Sequence, residues 1–258
     1  MKLKIIDAKH GPDSKAWYTL KPLREKYLDE SGIPTMWGLG VGNYERCLTL
    51  KNTKQKWLFC DMPYWNRWDP RCPHDDYYWR IINSDIHVTH VIPDLPKQRI
   101  THIQLKEWRD KGDYILVAPS SVTVNTFIGQ RNWEQDTINF IKTKTDMPIK
   151  VRHKPRKNGK SGPAYADVSL QEDLKNAACV VTSCSMVSVD AIIEGVPVYC
   201  HPRCCATPVA QTIENFGQTV FSDERENWLK TLSWHQYTQK EIESGLFKEM
   251  FTQLYDMH

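Results

Sequence analysis

Residues 179–200, CVVTSCSMVSVDAIIEGVPVYC, form the stretch of this sequence that decides its fold. Two short apolar runs, residues 179–182 and 196–200, flank a segment with the pattern of a helix, residues 186–194. Short apolar strands joined by a helix are typical of a parallel βαβ unit. Gly195 predicts a sharp end of the helix before the second strand. The stretch therefore predicts a parallel α/β sheet.

The turn inside this unit is small and polar, with Ser183, Cys184 and Ser185 directly before the helix. The first N–H groups of a helix have no partner within the helix, and the helix dipole adds positive potential there. Such a turn suits a phosphate or diphosphate. The sequence therefore predicts an anion site at this turn.

The rest of the second half also alternates between strand-like and helix-like segments. Strands are predicted at residues 114–118 and 148–152, and helices at 133–144, 169–177, 224–232 and 239–254. Ser169 and Glu172 have the spacing of a capping box. Loops that follow parallel strands lie at the same sheet edge, where ligands bind in open α/β sheets. We therefore expect the loops at 118–121, 150–160 and 183–185 to converge.

The first half is less regular. A strand is predicted at residues 3–7, a helix at 14–31 and a further strand at 56–61. The glycine-rich segment 38–43 has no third glycine at the spacing of a dinucleotide-binding fingerprint, and no strand is evident before the segment. We interpret them as a loop where the backbone passes close to a ligand or another strand.

Prolines and charges near residue 110 predict a domain edge. The predicted organisation is a first domain at 1–112, a second α/β domain at 113–222, and C-terminal helices at 223–258.

Composition indicates an ordinary globular protein, because 40% of residues are hydrophobic and 25% are charged. The net charge of +3 is too small to identify a partner, but residues 150–160, KVRHKPRKNGK, carry six Lys or Arg and no acid. The apolar runs are too short for a membrane span, and the N-terminus has no signal-peptide pattern. The expected location is the cytoplasm, with no membrane partner.

The eight cysteines are best explained as small core residues, because half of them lie in predicted strands or at strand ends. The alternative is a structural zinc site at Cys72 and His74, or at Cys200 with its His and Cys neighbours. No C-x-x-C pair supports this alternative, so no metal is expected.

Six motifs lie between about residues 55 and 250. They are a W-x-x-x-D-x-x-Y strand at 57–64, Y-Y-x-R at 77–80, a P-S loop at 118–121, a T-D-x-P-I-x-V-R-x-K strand at 145–154, the βαβ unit at 178–198 and a C-terminal motif at 236–245. On these motifs the chain resembles GT-B glycosyltransferases, and more specifically a set of small bacterial and phage glycosyltransferases, including phage DNA-modifying types.

The resemblance implies two Rossmann-like domains facing a cleft: an acceptor-side domain at 1–112 and a nucleotide-sugar-binding domain at 113–222. It also implies that the C-terminal helices at 223–258 pack back on the first domain. It also implies a nucleotide-diphosphate sugar as donor, with a UDP-sugar expected, and no obligatory metal or other cofactor. The implied donor-binding residues are Ser120, Ser121, Arg152, Lys154, Ser183, Ser185 and Asp190, with Glu194 as the alternative to Asp190 for the ribose hydroxyls. Each of them could instead be a helix cap, an exposed helix acid or part of a solvated basic loop.

Transfer of a sugar to a hydroxyl needs a base near the acceptor. Asp61, at the end of a predicted strand, is the first candidate, and Asp7 and His74 follow it. Arg67, Tyr78 and Arg80 are candidates for acceptor binding. Asp61 could equally be a turn residue.

A hydroxymethylated base in phage DNA is one predicted acceptor, and the chain would then work in the host cytoplasm with double-stranded DNA as partner. The basic residues 150–160 and the aromatic first half favour this interpretation, because a flipped base stacks on aromatic rings. Three alternatives stay open: a glycosyltransferase of surface polysaccharide synthesis, a sugar-nucleotide epimerase, and a non-catalytic nucleotide- or DNA-binding module.

Overall fold

The computed structural model describes residues 1–6, 15–40, 42–65, 77–96, 102–154 and 169–255. In chain order its elements are β1 (Leu3–Ile6), α1 (Lys15–Tyr27), β2 (Ile33–Trp37), α2 (Asn43–Asn52), β3 (Leu58–Asp61), β4 (Tyr78–Asn83), β5 (Tyr114–Val117), α3 (Val122–Phe127), α4 (Trp133–Lys142), β6 (Ile149–Val151), α5 (Leu170–Lys175), β7 (Ala177–Thr182), α6 (Val187–Ile193), β8 (Val198–Cys200), β9 (Gln211–Thr212), α7 (Arg225–Ser233), β10 (Gln236–Thr238), α8 (Gln239–Ser244) and α9 (Leu246–Tyr255).

The chain forms a mixed α/β structure with two compact units. The first unit comprises Met1–Val88 and Leu232–His258, and the second comprises Thr89–Thr231. The boundaries predicted at residues 112 and 222 both fall inside the second unit, while the last two helices belong to the first.

The first unit contains a five-stranded sheet in the order β1-β2-β3-β4-β10. Strands β1, β2 and β3 are parallel, whereas β4 is antiparallel to both β3 and β10. The parallel part is what a Rossmann-like domain requires, and the antiparallel strands depart from that prediction. The core beneath it is strongly aromatic, since Trp57, Trp79, Tyr237, Phe247 and Phe251 are fully buried.

The glycine-rich segment of this unit corrects the sequence prediction. It is preceded by strand β2 and followed by helix α2 and by β3, which pairs parallel with β2. The segment therefore joins the strand and helix of a genuine βαβ unit. Gly38 and Gly42 have φ of 60° and 81°, where a side chain is strained.

The C-terminal region also differs from the prediction of a continuous helix over residues 239–254. Gly245 divides it into α8 and α9 with φ of 100°. Strand β10 precedes α8, and Thr238 and Glu241 form a capping box at the junction.

The second unit contains the sheet β6-β5-β7-β8-β9, in which every pairing is parallel. The βαβ unit predicted from residues 179–200 is confirmed as β7, α6 and β8, and Gly195 ends the helix with φ of 74°. One face of the sheet packs against α4 in an apolar core of Ile115, Val117, Trp133, Ile141, Cys179, Val181 and Tyr199.

Strand order in this second sheet identifies a switch point. Counted within the unit, the order is 2-1-3-4-5, because β6 lies on one side of β5 and β7 on the other. Right-handed crossovers in opposite directions place α4 and α6 on opposite faces. The carboxyl ends of β5 and β7 are therefore the position where ligands bind in doubly wound sheets.

No helix in the described ranges is long and apolar enough to cross a membrane.

Candidate functional site

Three loops follow neighbouring strands at the carboxyl edge of the second sheet. They are residues 119–121 after β5, 183–186 after β7 and 201–203 after β8, and we refer to them together as the edge loops. The first two flank the switch point. Of the three loops predicted to converge, those after β5 and β7 meet. Residues 155–160 of the predicted loop 150–160 lie outside the described residues.

Hydrogen bonds join the edge loops to one another. The backbone N–H of Ser120 donates to Ser183 Oγ at 3.3 Å, and the N–H of Cys184 donates to Ser120 Oγ at 3.0 Å. The N–H of His201 donates to the carbonyl of Ser183 at 3.1 Å. The loops therefore form one connected structure.

The hydroxyl protons at this edge are not equivalent. Ser183 is buried and its hydroxyl donates to Asn125 Oδ1 at 2.6 Å, so this proton is committed inside the protein. The hydroxyls of Ser120, Ser121 and Ser185 each accept from a backbone N–H. An accepting hydroxyl still carries its own proton. A phosphate oxygen could therefore accept a hydrogen bond from the hydroxyl group of Ser120, Ser121 or Ser185.

The predicted anion site at the amino end of α6 is partly capped by the protein itself. The N–H of Cys184 is bonded to Ser120, and the N–H of Ser185 donates to Thr182 Oγ1 at 3.1 Å. A bound anion at this turn would therefore meet hydroxyl groups and side-chain cations in place of these two backbone N–H groups.

Arg203 supplies a cation at this edge that the sequence analysis missed. Its guanidinium lies 4.8 Å from the ring centroid of Phe127, and its backbone N–H donates to His201 Nδ1 at 3.1 Å. Because Nδ1 accepts, the ring proton of neutral His201 is on Nε2. In the sequence Arg203 is a basic residue three positions after a strand, but its neighbouring cysteines suggested a zinc site there.

An open pocket of about 180 Å³ lies beside the edge loops. It runs between α4 and the short 3₁₀ turn Ile213–Asn215, with His201 of the third edge loop in its wall. Its lining combines aromatic and apolar side chains with polar groups: Gln130, Trp133, Asp136, Thr137, Phe140, His201, Ile213 and Glu214.

Arg152, predicted to bind phosphate, is instead paired within the protein. Its guanidinium donates to Asp173, whose other carboxylate oxygen lies 2.6 Å from Lys150 Nζ. Asp173 is buried, and its hydrogen bond raises the pKa of Lys150. Lys154 lies two residues further along and is exposed. Two cations of the predicted basic loop therefore neutralise one buried acid.

The two predicted ribose ligands occupy different ends of α6. Asp190 is half-buried in the first turn, near the edge loops. Glu194 caps the far end of the helix and forms an ion pair with Lys106. Because α6 crosses from the carboxyl edge to the amino edge of the sheet, Glu194 lies at the edge opposite the loops, and Asp190 is the better-placed candidate.

In the first unit, Asp61 ends β3 and faces Arg80 directly across the antiparallel ladder. Arg80 Nη2 donates to Asp61 Oδ2 at 3.1 Å, and the N–H of Met62 donates to Asp61 Oδ1 at 2.7 Å. The Asp61 side chain is 32% exposed while that of Arg80 is 5% exposed. One face of the carboxylate therefore remains open to solvent.

Arg80, predicted to contact the acceptor, is thus a buried partner of Asp61. Tyr78 begins the same strand and is half-buried. The other predicted residues of this unit, Asp7, Arg67 and His74, lie outside the described residues.

The cysteines among the described residues are buried, which confirms their prediction as core residues. Burial raises the pKa of Cys47 and of Cys179 to about 12. Within the described residues no group of three or more His, Cys, Asp or Glu is arranged to hold a metal ion.

Comparison with solved structures gives distant structural likenesses. The chain is similar to Thermosulfurimonas dismutans KpsC, a beta Kdo 2,7 transferase, with 12% sequence identity and a TM-score of 0.48. The similarity covers 96% of this chain and 99% of that chain. No family model and no curated protein matches. At this identity and TM-score the likeness carries no argument about activity.

Proposed function

We propose that this protein is a glycosyltransferase that moves a sugar from a nucleotide-diphosphate donor to a hydroxyl group. The observation that carries the proposal is the edge of the second sheet. Hydroxyl donors at its switch point and a half-buried arginine after the neighbouring strand β8 lie beside a pocket with aromatic walls. A diphosphate-linked nucleoside needs these two kinds of surface side by side.

The charged part of the donor is assigned to the edge loops. Ser120 and Ser185 each keep a hydroxyl proton, and Arg203 adds a full positive charge. Charge-assisted hydrogen bonds to phosphate oxygens are about twice as strong as neutral ones. These groups also meet the charge that develops on the leaving diphosphate, without a metal ion.

The nucleoside part of the donor is assigned to the pocket. Half-buried Phe140 offers ring surface and buried Trp133 lies behind the pocket wall. Asp136 and Glu214 offer carboxylate oxygens that accept hydrogen bonds from hydroxyl or N–H groups. Asp190, one helical turn from the amino end of α6, is proposed to accept the ribose hydroxyls, which requires the donor to lie across the edge loops because α6 and α4 are on opposite faces of the sheet. A uridine nucleotide is the first ligand to test.

The base for transfer is proposed to be Asp61 in the first unit. A carboxylate that accepts the acceptor's proton must have an oxygen within reach of solvent and substrate. Asp61 has such an open face while its other contacts hold it in place. Asp61→Asn keeps the size and removes the base, so it should lower the transfer rate by about a hundredfold or more.

The acceptor is proposed to be a hydroxyl group, with a hydroxymethylated DNA base and a surface glycan as the two candidates. The pairing of Lys150 and Arg152 with Asp173 leaves fewer cations for DNA than the sequence predicted. DNA binding would show itself by a steep fall of affinity with salt concentration.

The proposal is tested by incubating the protein with UDP-sugars and either hydroxymethylated DNA or a glycan, followed by mass spectrometry of the products. Arg203→Gln should raise the donor KM about tenfold or more. The matched control is Arg225→Gln, because Arg225 is also half-buried and stacked, 4.0 Å from the Trp108 ring centroid, but bonds Lys106 near the opposite edge.

Each outcome distinguishes the candidate functions. Product on DNA or on glycan identifies the acceptor. Donor binding without transfer to either acceptor would indicate a non-catalytic nucleotide-binding module. Equal effects of Arg203→Gln and Arg225→Gln on donor binding would contradict the assigned site.

A further inference from the structure

The buried surroundings of Asp61 extend beyond its partner Arg80 to His87. Arg80 Nη1 lies 3.0 Å from His87 Nδ1. A guanidinium has only donors, so Nδ1 must accept and the neutral ring carries its proton on Nε2. Arg80 therefore donates to Asp61 with one terminal nitrogen and to His87 with the other.

The side chains packed around Arg80 and His87 hold these two residues in place. Arg80 and His87 are 4% and 5% exposed. The Arg80 guanidinium lies 5.3 Å from the ring centroid of Tyr64, and the Tyr64 and His87 rings lie 6.1 Å apart. The N–H of Val88 donates to the Tyr64 hydroxyl at 3.3 Å, which ties the segment after His87 to the same ring.

The guanidinium is planar, so the direction of one terminal nitrogen sets the direction of the other. The hydrogen bond to His87 fixes the rotation of the Arg80 fork, and the fork then fixes which way the Asp61 carboxylate faces. We infer that His87 is a positioning residue that orients the Asp61 carboxylate through Arg80. This role rests on the proposed function, in which Asp61 is the base.

The reaction rate depends strongly on the orientation of a catalytic group. A displacement of about 1 Å can lower a rate by about a hundredfold. Loss of the His87 acceptor should therefore lower kcat, while the KM for the donor, which binds in the second unit, should not change.

The test compares His87→Asn with His87→Leu. The two side chains have nearly the same shape and both remove the ring beside Tyr64. Only Asn places an acceptor, its Oδ1, where His87 Nδ1 lies. We expect His87→Asn to keep kcat within about threefold and His87→Leu to lower it about tenfold or more, with an unchanged donor KM.

A second readout does not need transfer activity. Crystal structures of the two variants should keep the contact between Arg80 and Asp61 Oδ2 in His87→Asn and lose it in His87→Leu. If His87→Leu does not fold, His87→Gln takes its place, because its longer side chain carries the acceptor away from the Nδ1 position.

The inference is overturned if Arg80 still donates to Asp61 in His87→Leu, or if the Asn and Leu variants lose the same fraction of kcat. Failure of the proposed function looks different. In that case the wild-type protein transfers no sugar, or Asp61→Asn transfers at the full rate, and the variant crystal structures still decide the role of His87.

Discussion

At the scale of single residues, two serines two positions apart should respond differently to the same change. Ser183→Ala leaves a buried Asn125 oxygen and the Ser120 N–H without their partner, so it should lower the free energy of unfolding by about 1–3 kcal/mol. Ser185→Ala should hardly change stability and should raise the donor KM, because the hydroxyl proton of Ser185 is assigned to a phosphate oxygen of the donor. Chemical denaturation and steady-state kinetics measure the two effects, and reversed effects would contradict the assignment.

The pair between Lys150 and Asp173 predicts a pH dependence of stability. The hydrogen bond that Lys150 donates to Asp173 raises the pKa of Lys150 above its ordinary 10.5. A raised pKa in the folded state means that the contribution to stability is fully present below pH 10.5 and is lost as the pH rises through the folded value. The melting temperature of the wild type should therefore exceed that of Asp173→Asn at pH 8, and the difference should narrow above pH 10.5. A constant difference across this range would count against the ion pair.

Candidate residues were predicted from the sequence only as far as local pattern allows. The Ser-rich turn and Asp61 were found because each ends a recognisable strand. The pairing of Arg152 with Asp173 was not predicted, because the two residues lie 21 positions apart and meet only after folding. Arg203 was missed for the same reason, since its proximity to α3 depends on the parallel alignment of β5, β7 and β8.

At the scale of elements, substitutions at two glycines distinguish the cost of backbone strain from the cost of a steric clash. Gly195 and Gly217 have φ of 74° and 97°, so Ala is strained at either position. A Cβ on Gly195 would also meet the carbonyl oxygen of Glu107 at 1.9 Å, whereas a Cβ on Gly217 meets nothing within 4 Å. Gly217→Ala should cost about 1–2 kcal/mol of unfolding free energy, and Gly195→Ala should cost distinctly more. Equal costs in a urea titration would show that α6 can move away from Glu107.

Strands were predictable where they are apolar and parallel, as in β5, β7 and β8. Strand β2 escaped prediction because it contains Pro34, which normally argues against a central strand. Strand β10 is only three residues long, and it pairs with β4, which lies more than 150 positions earlier. Its strand character comes from that partner and from burial, neither of which its own residues reveal.

At the scale of the whole molecule, donor binding should stabilise the folded chain. A ligand at a hundred times its Kd adds about 2.7 kcal/mol to the free energy of unfolding. We expect a UDP-sugar to raise the melting temperature of the wild type and of Arg225→Gln, and to have much less effect on Arg203→Gln. Differential scanning calorimetry with and without donor makes the comparison, and an equal shift in all three proteins would speak against Arg203 as a donor ligand.

The most direct measurement is a crystal structure of the protein with a bound nucleoside diphosphate. The account predicts phosphate oxygens within hydrogen-bond distance of Ser120, Ser185 and Arg203, and the base in the pocket beside Trp133. A diphosphate bound instead at the glycine-rich turn between β2 and α2 of the first unit would contradict it.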